Sequence, residues 1–522
     1  MSVKIKLMET WKQKRLQTVF ILLLFGISIF LRSKSIMMPI VGDFHDFRQS
    51  QTAITIQDFF NHGFSVLDYK TPVFGPPWQV PFEFPIYQIS VFVFMKIFGM
   101  TNIDLGCRLV SLIYFYLSAI ALLDLCKIFL KDSKIYLTIF FYYLFSPHTL
   151  VWSRAALPDF ASVLFGLMYI LFFVKWMNSS RKILDKNFFL TMISGILGYL
   201  CKSTSMFPVV VVLAFFIVKS LYDDFTEDCA ISLVNILNYI KKNILLIIKI
   251  LGLCIIPAII GLLWVKYSDS IKSQSIYTQG LTSKVLNAWN YGTISQKISL
   301  DVWSVIFARI HRYFAPLLMM GSLFPISVYG LYHLKTKKML VFYVSALIAI
   351  FSTLFSLINL YYIHDYYLIG ISPYICIIFG FGFYYICFEI TNNKKLLKFV
   401  FFILFSISIL QPKEYIETLF DNNENRYLVA VIGHYINRTT SKEELVFVQD
   451  LDWSSALLYA SNRRGFMDPG WFGSIDTNFL KNNNFTIYVK KTSTEFDKGI
   501  QSTFNAMLEQ SIYGWEIYRL SR

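Results

Sequence analysis

The sequence predicts a polytopic α-helical membrane protein that ends in a small α/β domain on the extracytoplasmic side. Three observations point to it. Of 522 residues, 55% are hydrophobic and 18% aromatic while only 16% are charged, a balance too apolar for a soluble globule. The apolar residues fall into segments near the ~20 residues that a helix needs to cross a hydrocarbon core, separated by short turns carrying Lys and Arg. After Gln411 the chain changes character, becoming polar with strand-length apolar runs. The formal charge of +15 sits in the turns between apolar segments, which marks cytoplasmic loops rather than a nucleic-acid surface. No nucleic-acid partner is therefore expected. Seven cysteines, none in CxxC spacing and none after Gln411, predict neither a disulfide framework nor a thiolate metal site.

Taken in order, Lys4, Lys6, Lys12, Lys14 and Arg15 precede the apolar run Thr18–Met38, so the amino terminus is expected in the cytoplasm, followed by an uncleaved anchor. Arg32 and Lys34 are expected to snorkel to the outer surface. An outer loop over about residues 40–106 then holds an amphipathic piece, Ile54–Phe60, and the Pro-rich TPVFGPPWQVPFEFP. Ile86–Gly99 is too short to span and reads as a juxtamembrane helix. Further crossings are expected at Arg108–Phe129, Ile135–Ser146, Phe160–Trp176, Phe188–Leu200, Phe207–Tyr222 and Asn243–Val265. A second outer loop, 266–312, is followed by crossings at Tyr313–His333, Leu340–Tyr361, Tyr366–Phe388 and Leu397–Leu410, about eleven in all. Residues 1–411 thus form a transmembrane domain and 412–522 an outer domain. In the latter, strands are expected at Leu445–Gln449, Phe485–Lys490 and Trp515–Leu520, and helices at Tyr427–Asn437, Ser455–Ala460 and Gly499–Glu509.

Under this topology the polar groups gather on one side, around VGDFHDFRQSQTA (Val41–Ala53). Asp43, His45, Asp46, Arg48, Glu83, Arg154, Asp159, Lys202, Arg309, His311, Arg312, His364 and Asp365 all fall near outer ends of spans. Carboxylates beside cations at a membrane boundary suit a reaction that needs a base and stabilisation of phosphate charge. Each has a plainer alternative: Asp43 and Glu83 as loop hydration, Arg154 and Asp159 as a structural ion pair, Lys202 as a snorkelling lysine, His364 and Asp365 as ordinary loop. No GxGxxG, P-loop or HExxH motif is present.

Five stretches in order, HDFRQSQTA, PFEFPIYQ, SRAALPDF, GILGYLCKSTSMFP and HDYYLIGISPY, resemble the polyprenyl-phosphate-sugar-dependent transferases. That group, similar to glycosyltransferase family 39, contains the protein O-mannosyltransferases and the lipid A aminoarabinose transferases. The resemblance covers roughly residues 15–410 and implies the GT-C fold. It also implies that Asp46 is the first-loop base, with Asp159 and Glu83 as further catalytic carboxylates. Arg154 matches the SRxALPD motif, Lys202 the basic residue of a TKGP-like turn tied to the carrier phosphate, and His364, Tyr366 and Tyr367 the HxYYLLPxxP loop. Asp43, His45 and Arg48 complete the expected substrate-binding set. The chain departs from the family where Phe47 replaces a second loop carboxylate, leaving Asp43 or Glu83 to substitute, and where CKST and LIGISP stand in the later motifs.

The resemblance thus implies a hexosyl or pentosyl transferase that moves a sugar from a polyprenyl-phosphate donor to a hydroxyl of a lipid, glycan or protein, in the bacterial inner membrane. No cofactor is expected, since a single phosphate needs little charge neutralisation; the clustered carboxylates leave a divalent cation as the alternative. The rival readings are a transporter or flippase of lipid-linked glycans and a non-catalytic envelope assembly protein.

Overall fold

The computed structural model describes residues 2–228, 230–314, 323–333, 337–390, 424–472 and 476–521, with isolated positions at 395, 399 and 403. Cys229, the middle of the Tyr313–His333 segment and nearly all of the crossing expected at Leu397–Leu410 lie outside the described residues. The helices in chain order are α1 (Ser2–Ile36), α2 (Asp46–His62), α3 (Ile86–Phe98), α4 (Ile103–Phe129), α5 (Ser133–Phe145), α6 (Pro147–Trp152), α7 (Asp159–Met177), α8 (Lys186–Lys202) and α9 (Phe207–Asp228). They continue as α10 (Leu233–Lys242), α11 (Ile244–Lys272), α12 (Asn287–Tyr291), α13 (Ile294–Ile298), α14 (Leu300–Phe314), α15 (Leu323–His333), α16 (Lys337–Ser356), α17 (Ile358–Ile363) and α18 (Leu368–Tyr384).

Among the described residues, seven helical stretches are long and apolar enough to cross a membrane: those of α1, α4, α7, α8 with α9, α11, α16 and α18. The expected number of about eleven is not reached by this measure. Two of the expected crossings, α8 and α9, are counted together because only the 3-10 turn Ser203–Met206 separates them. The pieces at Ser133–Phe145 and Leu323–Tyr332 are apolar but short. Polar side chains start these helices where the chain turns: Asp132 accepts from the Lys134 amide to open α5, and Asp185 from the Asn187 amide to open α8. The helices share one aromatic-rich core, in which Phe115, Phe140, Tyr143 and Trp176 are fully buried. Arg32 belongs to that core, contrary to the snorkelling expected of it. It is buried and donates to Ser153 Oγ (2.7 Å), the Leu144 carbonyl (2.9 Å) and Ser28 Oγ (2.5 Å), because neighbouring helix ends offer enough acceptors to satisfy a guanidinium inward.

The outer loop between α1 and α4 is an ordered structure. Helices α8 and α11 grip its PFEFP stretch: the Phe84 amide donates to the Leu200 carbonyl (3.1 Å), Trp264 Nε1 to the Phe82 carbonyl (3.1 Å) and Ser268 Oγ to the Pro81 carbonyl (2.5 Å). The Ile86–Phe98 helix follows, as expected for the juxtamembrane piece.

The tail carries a five-stranded sheet of order β2-β1-β3-β5-β4, with β1 (Leu445–Val448), β2 (Gly465–Met467), β3 (Phe485–Lys491), β4 (Asn505–Ile512) and β5 (Trp515–Ser521). β1 pairs in parallel with β2 and β3, and β5 pairs antiparallel with β3 and β4. The expected strands are β1, β3 and β5. The helix expected over Gly499–Glu509 is a correction: only Lys498–Thr503 is helical, and NAMLEQSI forms β4 instead. Its residues favour helices, but Tyr513 and Gly514, both at positive φ, close a tight hairpin that pairs it with β5.

This domain is welded to the first outer loop through a shared apolar core. At its outer edge the loop extends the sheet: the Met467 amide donates to the Val73 carbonyl (2.8 Å) and the Gly75 amide to the Gly465 carbonyl (3.0 Å). Ser50 and Ser455 hydroxyls meet at 2.8 Å, Arg464 makes a two-pronged bond to Asp58 (2.8 and 3.0 Å), and Tyr459 bonds Asp104. A Cβ at Gly465 would lie 2.1 Å from the Val446 carbonyl oxygen, so Gly465→Ala must open the β1–β2 pairing. It is expected to cost roughly 1–3 kcal/mol of stability, read as a lower thermal midpoint and earlier proteolysis of the tail than in wild type.

Candidate active site

The site is built on the short turn between α1 and α2. His45 adopts a left-handed backbone (φ 48°), which turns the chain sharply enough for Asp46 to become the first residue of α2. The two loop carboxylates then part company. Asp43 is fully buried and held between two fully buried arginines. Arg154 donates to both of its oxygens (2.8 and 3.1 Å), Arg108 donates to Oδ2 (2.8 Å), and Gln49 adds a longer bond at 3.4 Å. Burial alone would push the Asp43 carboxyl up, but Arg154 and Arg108 outweigh it and hold the group below the usual carboxylate range. Asp46, by contrast, keeps 9% exposure, and its Oδ2 accepts from the Gly42 amide at 3.1 Å.

Arg108 and Gln49 complete the turn. Arg108 also donates to the Met38 and Pro39 carbonyls (2.7 and 2.9 Å), and Gln49 links the Phe44 carbonyl (2.8 Å) to the Ala156 amide (2.9 Å). Both were absent from the expected site. The signal for Arg108 was a charged residue at the head of an apolar span, which is costly to bury unless paired.

Beyond this turn lie two further ion pairs. Arg48 Nη2 reaches Glu83 Oε1 at 2.6 Å, with the Phe82 ring beneath the guanidinium. Burial lowers the Arg48 affinity for its proton, and Glu83 more than restores it, so the pair is ionised. Lys202, the last residue of α8, reaches Asp159 Oδ1 at 2.7 Å, and its ammonium lies 5.1 and 4.8 Å from the ring centroids of Tyr366 and Tyr367. Asp159 is the first residue of α7, and its other oxygen, Oδ2, is buried without a hydrogen-bond partner. Arg48 lies within electrostatic reach of Asp159, Tyr366 and Tyr367, so the two pairs face one space.

Aromatic rings close the remaining side. Tyr366 and Tyr367 stack at 4.4 Å, His364 stacks on Tyr366 at 5.4 Å, and His45 Nε2 stands 2.9 Å from Asp365 Oδ1. Burial, helped by His45, lowers the His364 pKa to about 4, so this imidazole is neutral near pH 7. Arg309 fixes this loop from behind by donating to the Tyr361 and Tyr362 carbonyls (2.9 and 2.6 Å). The structure therefore brings His45, Arg48, Glu83, Asp159, Lys202, His364, Tyr366 and Tyr367 into one connected group beside Asp46. Asp43 and Arg154 lie behind the turn and are spent on each other. No group of three or more His, Cys, Asp or Glu side chains among the described residues converges as metal ligands.

No protein-family model and no curated protein matches the chain. Solved structures do. ArnT from Cupriavidus metallidurans bound to undecaprenyl phosphate superposes with a TM-score of 0.62 at 11% identity, over 96% of this chain and 98% of that one. The apo form of the same protein gives 0.58 at 12%, with the same coverage. The archaeal oligosaccharyltransferase AglB from Archaeoglobus fulgidus, in complex with an inhibitory peptide and a dolichol-phosphate, gives 0.53 at 11%, over 92% of this chain and 70% of that one. The likeness is one of fold: the chain has the GT-C architecture of these proteins.

The depressed Asp43 carboxyl contributes stability that is complete above the ordinary value of 3.8 and is lost only as pH falls through the lower folded value. At pH 7 Asp43→Asn therefore forfeits all of it and leaves two buried guanidiniums unneutralised. The expected loss is about 3–5 kcal/mol, measured as a fall in thermal midpoint in lipid nanodiscs that Asp46→Asn does not share.

Proposed function

We propose that this GT-C protein is a membrane glycosyltransferase that takes a sugar from a polyprenyl-phosphate carrier and gives it to a hydroxyl of a lipid, glycan or protein. The observation that carries this reading is the paired arrangement Arg48–Glu83 and Lys202–Asp159 facing one space beside Asp46. It holds cations for a phosphate, carboxylates for proton transfer, and a tyrosine pair as an apolar wall. The fold it shares with structures bound to undecaprenyl phosphate and dolichol-phosphate supports the same reading.

In the proposed reaction the acceptor hydroxyl gives its proton to Asp46 while its oxygen attacks the anomeric carbon. The bond from that carbon to the carrier phosphate breaks on the opposite face, and the phosphate leaves with the electron pair, so configuration inverts. Lys202 turns from Asp159 towards the leaving phosphate, and Arg48 adds positive charge without leaving Glu83. Asp159 keeps the ammonium poised before the carrier arrives, and its free oxygen is available to a sugar hydroxyl. Asp43 and Arg154 act as positioning residues that fix the turn bearing Asp46. The protein sits in a bacterial cytoplasmic membrane with this site and the tail on the extracytoplasmic side.

A transporter would place ionisable groups along a path through the spans. The buried arginine inside a span, Arg32, is consumed by hydrogen bonds to neighbouring helix ends and offers no such path.

Purified protein in nanodiscs, given a panel of labelled polyprenyl-phosphate hexoses and pentoses, is expected to transfer or hydrolyse at least one donor. Asp46→Asn should lower kcat by about 10²–10⁴ and leave donor binding intact, whereas a rate equal to wild type would remove Asp46 from the chemistry. Lys202→Gln should lower kcat/KM by roughly 10²–10³. Because Lys202 and Arg48 supply the positive charge, EDTA should leave the wild-type rate unchanged; a rate restored only by added divalent cation would overturn the metal-free mechanism.

A further inference from the structure

A cleft of about 270 Å³ opens at the junction of the first outer loop and the tail domain, at the far end of α2 from Asp46. The 17 residues of α2 put its two ends about 24 Å apart at ~1.5 Å per residue, so the cleft is separate from the site described above. Trp78 from the Pro-rich loop forms one wall, with Lys442, Glu443, Arg464, Asn483 and Asn484 from the tail around it. His62 and Leu445 complete it.

The charges in this lining cancel. Arg464 is neutralised by Asp58, which also takes His62 Nδ1 at 2.9 Å, and Lys442 is balanced by the adjacent Glu443. A phosphate or a carboxylate would find no net positive charge here. An acyl chain would find only one aliphatic side chain, Leu445, among polar ones. What remains is an aromatic wall with amide, ammonium and carboxylate groups around its edge, a mixture of donors and acceptors at fixed directions. That is the chemistry that fits a neutral sugar: its C–H face packs on the indole, and its ring of hydroxyls both donates and accepts. The volume lies just under the roughly 300–1,000 Å³ of ordinary small-molecule sites and suits one or two pyranose units.

The indole is also held in place at some cost. Trp78 has φ +69°, a left-handed conformation unfavourable for a bulky residue, fixed by bonds from its amide to the Gly75 carbonyl (3.0 Å) and from the Thr71 amide to its own carbonyl (2.9 Å). Arg464 stands 5.6 Å from the ring centroid and ties the wall to the Asp58 bond that joins loop and tail.

We infer that this cleft binds a neutral glycan unit. On the glycosyltransferase reading above, it is the distal part of an acceptor chain whose growing end reaches Asp46; the binding itself does not depend on that reading.

The test is saturation-transfer NMR on the full-length protein in nanodiscs. The probes are methyl glycosides and β-linked disaccharides of glucose, galactose, mannose and N-acetylglucosamine. At least one should bind, equally in wild type and Asp46→Asn. Trp78→Gly removes the ring and relieves the left-handed strain, so it folds, and it should raise the Kd at least tenfold; Lys442→Ala, an exposed change, should raise it severalfold. No binding by any probe, or unchanged binding in Trp78→Gly, would overturn the proposal. Glycan binding lost in Trp78→Gly by a protein that turns over no lipid-linked donor would keep the cleft and sink the glycosyltransferase reading instead.

Discussion

The buried carboxylate of Asp43 is the constraint on which the outer face of this protein depends. In a region shielded from water, two arginines from different helices cannot stand alone, and a carboxylate cannot stand without them. Arg108 comes from α4 and Arg154 from the loop before α7, so their meeting at Asp43 fixes the turn after α1 against both. The same turn is tied down by Gln49 and by the Met38 and Pro39 carbonyls that Arg108 collects. What emerges from it is Asp46, a second carboxylate left at the surface of the turn. One sequence stretch thereby supplies both a structural acid and an accessible one, and burial separates their roles.

The two outward pairs follow a different rule. Arg48–Glu83 and Lys202–Asp159 are partly exposed, each with its cation on one element and its anion on another. Pairing keeps both cations charged in a sparsely hydrated space while leaving them free to be recruited by a more strongly charged ligand. The tail contributes at a distance. By extending its sheet with the Pro-rich loop and clasping α2 through Ser455 and Arg464, it holds the far end of the helix that begins with Asp46.

Much of this was legible in the sequence because it rests on short-range signals. Apolar segments with basic turns gave most of the helices, and ordered motifs drew attention to Asp46, Arg48, Glu83, Asp159, Lys202 and the HDYY loop. What was not legible was direction. Nothing in SRAALPDF says that Arg154 turns inward to Asp43 while Asp159 turns to Lys202, because that choice is made by helices distant in sequence. Arg32 was expected at the surface for the same reason: its acceptors, Ser153 and the Leu144 carbonyl, lie more than a hundred residues away. The strand β4 escaped notice because it is an edge strand without alternating burial, and its helix-forming residues are overruled by a hairpin.

The central claim is that Lys202, released from Asp159 and backed by Arg48, receives the phosphate of a polyprenyl carrier next to Asp46. Its most direct test is an electron cryo-microscopy structure of the wild-type protein in nanodiscs with undecaprenyl phosphate. The account predicts phosphate density within hydrogen-bond distance of Lys202 Nζ, on the same side of the Tyr366–Tyr367 pair as Asp46. Carrier density elsewhere on the protein, with the Lys202–Asp159 pair still closed at 2.7 Å, would contradict it.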